Sequence, residues 1–182
     1  MKKYKSVIVL VCICAVVAVM LAVTNLVTSP IIKENEEEAA IKALHAVMPD
    51  GTDFTKVDIS EYSLPSTVTE AYLEASGGCV IKLSTTGYGS GMVIMCGVTA
   101  DGTVSGALCL ASSETLGHEK TFGERFTGRD ISSIEGVELI SGATLTSTAY
   151  RAAIKDALAA SNILCGDSAQ ANNSVGGLNN EK

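Results

Sequence analysis

The sequence predicts an α+β domain, an antiparallel sheet with packed helices, preceded by one N-terminal transmembrane helix. Three observations predict it. Residues 6–32 carry no charged side chain. Between residues 79 and 111, short β-rich runs alternate with glycine-bearing turns. A segment of small and hydroxyl residues then leads into a stripe of apolar residues at helical spacing, Thr148 to Leu164.

The charge-free stretch has a core from Val7 to Val27, long enough for one membrane span, which needs roughly 20 apolar residues. Lys2, Lys3 and Lys5 precede it, and Lys33 with the acidic run Glu34 to Glu38 follows. The positive-inside rule therefore places the N-terminus in the cytoplasm and everything after residue 30 outside. A cleaved signal peptide competes with this reading, since the leading segment is basic. The apolar core is longer than a usual signal core and no A-x-A pattern follows it before Pro30, so an uncut anchor is expected. Cys12 and Cys14 are preceded by Val11 and Ile13, which argues against lipoprotein cleavage. Two residues apart on a helix they do not share a face, and they read as small apolar residues rather than a redox or metal pair.

Pro30 to Met48 reads as a juxtamembrane helix with Ile31, Ile41, Leu44, Val47 and Met48 on one apolar stripe and Pro49 ending it. His45 lies within it as a packed or solvated residue. The expected organisation is a cytoplasmic stub and anchor over 1–29, the juxtamembrane helix over 30–49, one extracytoplasmic domain over 50–166, and a disordered tail over 167–182. That tail is rich in Asn, Gly and Ser. Without anchor and tail about 135 residues remain, enough for one domain with a real core.

The chain's formal charge is −7, so once the +3 of Lys2, Lys3 and Lys5 is set aside the remainder carries −10. No basic patch interrupts it, which excludes a nucleic-acid partner and an anionic lipid surface. Four cysteines lie beyond the anchor: Cys79, Cys96, Cys109 and Cys165. They lack metal-ligand spacing, and no metal is expected.

Tyr72 and Leu73 fall in one expected strand, and residues 79–85 form another. Gly87-Tyr88-Gly89-Ser90-Gly91 then breaks the pattern, leaving either a flexible loop or glycines that admit a ligand close to the backbone. Met92–Thr99 and Thr103–Ala111 flank Asp101-Gly102, a strong hairpin signal. A two-residue turn there sets Val98 opposite Ser105, Cys96 opposite Ala107 and Ile94 opposite Cys109. Cys96 and Cys109 become diagonal neighbours about 7 Å apart, too far for a relaxed bridge, so free packed thiols are expected. The helix from Thr148 buries Tyr150, Ala153, Ile154, Ala157 and Leu158 and stops at Gly166. His45 and His118 are the sole candidate bases and neither adjoins an activated Ser, so a hydrolase is set aside and no catalytic residue is assigned.

The most informative segment is Ser141-Gly142-Ala143-Thr144-Leu145-Thr146-Ser147. It puts small side chains, a glycine hinge and several hydroxyls at the start of a helix. Unpaired N–H groups and the positive dipole end there suit an anion, phosphate above all, and Thr144 offers a hydroxyl at the same spot. An ordinary N-cap explains the same residues.

This segment is similar to the flavin-attachment motif of FMN-binding domains in the G subunit of Rnf complexes and the C subunit of sodium-pumping NADH:quinone reductases. The resemblance extends over residues 1 to about 165: anchor, juxtamembrane helix, G-Y-G segment, D-G hairpin, the loop Ser113-Glu114-Thr115-Leu116-Gly117, and the SGAT helix, in order. It implies FMN bound covalently by a phosphoester to Thr144, with Ser141, Gly142, Ala143, Leu145 and Thr146 around the attachment and Glu114, Thr115 and Tyr88 beside the flavin. It further implies a flavin transferase for maturation, partner subunits in a membrane-bound Rnf-type complex, and an electron relay in a machine coupling ferredoxin:NAD electron transfer to ion translocation. The chain is short, which favours the G-type subunit. It departs from the family at Leu116, where Pro is usual, at the missing second Gly after His118, and at Glu138, where Asp is usual. The alternatives are a stand-alone membrane-anchored flavoprotein serving another extracytoplasmic reductase, and a non-redox binding module of the same fold.

Overall fold

A computed structural model describes residues 2–175. It divides into two compact units, residues 1–41 and 42–182. The first is the greater part of helix α1 (Lys2–Val47), whose segment Val7–Leu26 has a mean hydropathy of 3.2 and exposes all its side chains. Among the described residues it is the one helix long and apolar enough to cross a membrane. The sequence suggests two helices meeting at Pro30, yet α1 continues through it. One missing N–H opposes continuation, and no glycine between residues 27 and 48 reinforces the break.

In the second unit a five-stranded antiparallel meander runs in the order β1 (Thr55–Val57), β2 (Val68–Leu73), β3 (Cys79–Thr85), β4 (Met92–Val98), β5 (Val104–Ala111). Helix α2 (Glu119–Phe122) and two short 3-10 turns lead to helix α3 (Thr144–Val175), and a third such turn lies between β1 and β2. Side chains alternate across β3 and β4, which gives the sheet two cores. Ile81, Leu83, Ile94 and Cys96 meet Tyr150, Ile154 and Leu158 of α3 in the larger one. Val80 and Met95 point the other way, onto Leu44, Val47 and Met48 at the end of α1. Ile41, expected on that stripe, is exposed, and the side chain of Ile31 lies outside the described residues.

Two glycines let the end of α1 touch the sheet. A Cβ on Gly97 would sit 2.7 Å from the Val47 carbonyl oxygen, and one on Gly106 would sit 2.8 Å from it. That carbonyl, left over at the helix end, accepts a 2.7 Å hydrogen bond from Ser105 Oγ.

The β4–β5 hairpin pairs Cys96 with Ala107 and Ile94 with Cys109, as its sequence predicts. Its turn is one residue longer than expected: Thr99 pairs with Thr103 around Ala100-Asp101-Gly102, with Gly102 at φ +75. Val98 therefore opposes Val104, and an irregularity beyond it restores the register. The sulfurs stay free, as expected.

Helix α3 differs at both ends from its sequence reading. It begins four residues earlier, at Thr144, and it passes Gly166 to reach Val175. An interior glycine costs about 1 kcal/mol relative to alanine, too little to end a long helix unaided. The first part of the expected tail, residues 167–175, thus belongs to α3, and residues 176–182 lie outside the described residues.

Candidate functional site

Ile140 to Ala143 form a β-turn closed by Ala143 N–H donating to Ile140 O at 3.0 Å. Gly142 sits at its third position with φ +82, which only glycine adopts cheaply. Ser147, fully buried, locks the turn: its Oγ donates to Ala143 O at 2.8 Å and accepts from Ile140 N–H at 3.2 Å. Ala143 O also accepts the first helical hydrogen bond, from Ser147 N–H, so Ala143 is the N-cap.

This placement removes the ordinary-cap reading of the segment. Alanine has no side-chain acceptor, and among the described residues none accepts from the N–H groups of Thr144, Leu145 or Thr146. The positive end of α3 is open, and Thr144, its exposed first residue, holds its hydroxyl there.

Beside that end lies a cleft of about 390 Å³, in the size range of small-molecule sites. Gly142, Ala143, Thr144, Leu145 and Thr146 form one wall. Glu114, Thr115 and Leu116 form another, and Tyr88 reaches in from the glycine loop. Three of these side chains are apolar yet exposed, at 74% for Tyr88, 61% for Leu116 and 66% for Leu145. Uncovered apolar surface around a concave site suits a flat, largely apolar ligand. Ser141 is exposed on the turn and does not line the cleft.

Glu114 ties the walls together. One carboxylate oxygen accepts from Gly89 N–H at 3.0 Å and the other from Thr146 Oγ1 at 2.6 Å. The glycines of the 87–91 loop answer to this contact. A Cβ on Gly87 would fall 2.4 Å from Glu114 Oε1, and one on Gly89 would fall 2.5 Å from Ser113 O. They admit the 113–114 loop to the backbone, where the sequence left open whether they admit a ligand.

Residues 87–159 match the FMN-binding domain family. Residues 1–47 match the RnfG N-terminal region. The G subunit of the Na(+)-translocating ferredoxin:NAD(+) oxidoreductase complex of Acetobacterium woodii is 28% identical over 181 residues, covering 83% of this chain and 87% of that protein. The chain is thus similar to RnfG subunits at its N-terminus and along most of its length, and it contains a segment that matches the FMN-binding domain family. The matched FMN-binding segment begins at Gly87 and ends inside α3, so it contains the glycine loop, Glu114 and the open helix end.

The cleft also holds a residue, Glu119, that the sequence pattern did not mark. Glu119, at 3% exposure, lines the cleft and accepts from Ser112 Oγ at 2.6 Å. His118 lines it as well. The signal for Glu119 was its position: it follows His118 where the family pattern has its second glycine. The segment before the turn is held by arginines, with Arg125 Nη1 donating to Glu138 O at 3.3 Å and Arg151 Nη1 to Glu135 O at 3.2 Å.

Proposed function

We propose that Thr144 carries FMN through a phosphoester bond, and that the chain is the flavin-bearing, electron-relaying subunit of a membrane complex coupling ferredoxin:NAD electron transfer to ion translocation. One observation carries the attachment. The residues lining the cleft include the carboxylates of Glu114 and Glu119 and no Lys or Arg. A phosphate held there by N–H groups would face like charge with no lysine or arginine to offset it, and would leave easily. A covalent bond to the hydroxyl at the helix end removes that problem, while the open N–H groups of α3 still satisfy the phosphate oxygens.

The residues divide the remaining work. Tyr88, Leu116 and Leu145 offer apolar surface for the isoalloxazine ring, and Glu114 fixes the distance between the glycine loop and α3. When bound, FMN supplies the capacity to accept and release single electrons. Membership of the complex is supported by the likeness to the Acetobacterium woodii protein and by the RnfG N-terminal region. The chain has neither a nicotinamide fingerprint nor an iron–sulfur cysteine pattern, and one candidate span among the described residues, which suits a relay rather than a pump. The N-terminus is cytoplasmic and the domain extracytoplasmic by the charge asymmetry around the span. Maturation requires a flavin transferase, whose docking segment includes Glu138.

The test is co-expression with a flavin transferase, followed by a denaturing gel viewed under ultraviolet light and mass spectrometry of the peptide bearing residue 144. The wild-type band is expected to fluoresce with the mass of one attached FMN, and Thr144→Val to be dark. A fluorescent Thr144→Val band would overturn the site, and a dark wild-type band would favour the binding-module alternative.

A further inference from the structure

One buried carboxylate of the cleft has an oxygen left without a partner. Glu119, the first residue of α2, is 3% exposed and lines the cleft. Ser112 Oγ donates to its Oε1 at 2.6 Å, which holds the side chain in place. Among the described residues neither a hydrogen bond nor a cation engages its Oε2. That oxygen is not sealed in the core either, since the one fully enclosed side-chain polar atom without a partner there is Tyr150 Oη. Its open surface therefore faces the cleft. Burying a carboxylate is costly unless its oxygens are satisfied, so one kept half-satisfied in a ligand cleft points to a donor on the ligand.

The other polar side chains of the cleft are engaged or exposed to water. Glu114 gives one oxygen to Gly89 N–H and the other to Thr146 Oγ1. Thr115, His118 and Thr144 are exposed. Glu119 is thus the buried carboxylate of the cleft with an acceptor to offer. The family pattern has glycine at this position, so the acceptor belongs to this chain rather than to the pattern.

We propose that Glu119 is a specificity-determining residue of the cleft, its free oxygen accepting a hydrogen bond from the imide N–H of a flat heteroaromatic ligand. This role rests on the proposed occupancy of the cleft by the flavin, though not on the bond to Thr144. An oxidised isoalloxazine ring carries a single N–H donor, the imide between the two carbonyls of its pyrimidine end. Because Glu119 is buried, that end of the ring is the one that enters the cleft. A ring with an alkyl group on the imide nitrogen has nothing to donate, and leaves the carboxylate buried and unsatisfied. A hydrogen bond to a charged acceptor is worth about ten- to a hundredfold in affinity.

The full-length protein, produced without a flavin transferase, is titrated in detergent with riboflavin and with 3-methylriboflavin while the ring fluorescence is followed. Riboflavin has no phosphate, so binding reports the cleft without the attachment. The wild type is expected to bind riboflavin at least about tenfold more tightly than its methylated analogue. Glu119→Ala is expected to lose that preference, through weaker binding of riboflavin. Equal affinities in the wild type would overturn the proposal, and so would an absence of riboflavin binding or a preference that survives in Glu119→Ala. The wild-type comparison decides even where the variant does not fold. A dark wild-type band in the gel test beside an intact riboflavin preference would remove the phosphoester and leave the role of Glu119 standing.

Discussion

Tyr150 buries its hydroxyl completely and gives it no hydrogen-bond partner among the described residues. Its ring stacks on Phe126 at 5.7 Å and meets Phe122 edge-on at 5.5 Å, so the aromatic contacts account for its place in the core. Burial pushes the phenol far above its ordinary value, and an unsatisfied buried polar group costs about 1–3 kcal/mol. Tyr150→Phe should therefore raise stability by about 1 kcal/mol, read as a higher urea midpoint at unchanged slope, and a lower midpoint would show that the hydroxyl is satisfied. Residues of this kind mark what the sequence leaves hidden. The periodicity of α3 identifies Tyr150 as core, but a missing partner depends on side chains from distant segments. The same holds for Gly87 and Gly89, visible as a glycine loop whose cause, the 113–114 loop, lies some twenty-five residues on. Glu119 was opaque for a different reason: carboxylates are almost always exposed, so no local pattern announces a buried one.

At the level of elements, strands and their register were legible because alternation and the Asp101-Gly102 signal are local. β3 matches its expected bounds, and Cys96 opposes Ala107 and Ile94 opposes Cys109 as a two-residue turn predicts, because the irregularity between Gly97 and Val98 cancels the extra turn residue. The end of α1 near Pro49 was legible, but its continuity through Pro30 and the ends of α3 were not, because a lone Pro30 or Gly166 weakens a helix without deciding its end. The start of α3 matters most. With Thr144 first and Ala143 as cap, the helix forgoes the stabilisation of a side-chain acceptor. Ala143→Ser should restore it, stabilising the unmodified domain by about 0.5–2 kcal/mol. The new hydroxyl would occupy N–H groups that the proposed phosphate uses, so flavin incorporation should fall in the same variant. Thermal denaturation in a Thr144→Val background measures the first effect, and the ratio of flavin to protein absorbance in the Thr144 protein measures the second. Higher stability with undiminished incorporation would mean that the phosphate does not use the helix end.

At the scale of the whole molecule, the two units differ in what specifies them. The domain from residue 42 owes its form to contacts between elements distant in sequence, such as Val47 against Gly97 and Gly106. The segment Val7–Leu26 needs no tertiary contact, since its composition alone makes water the wrong solvent. Orientation in the membrane then rests on charge within a few residues of the span. Lys2, Lys3 and Lys5 on one side weigh against a single Lys33 on the other, and acidic residues contribute little to the rule, so the balance is three to one. An alkaline phosphatase fused after residue 166, active only outside the cytoplasm, should be active in the wild type. Replacing Lys2, Lys3 and Lys5 with Gln leaves Lys33 as the nearest cation and should reduce that activity at equal expression. It should also darken the flavin band if, as proposed, an extracytoplasmic transferase attaches the flavin. An active fusion in both proteins, with both bands bright, would show that a feature other than these lysines sets the topology.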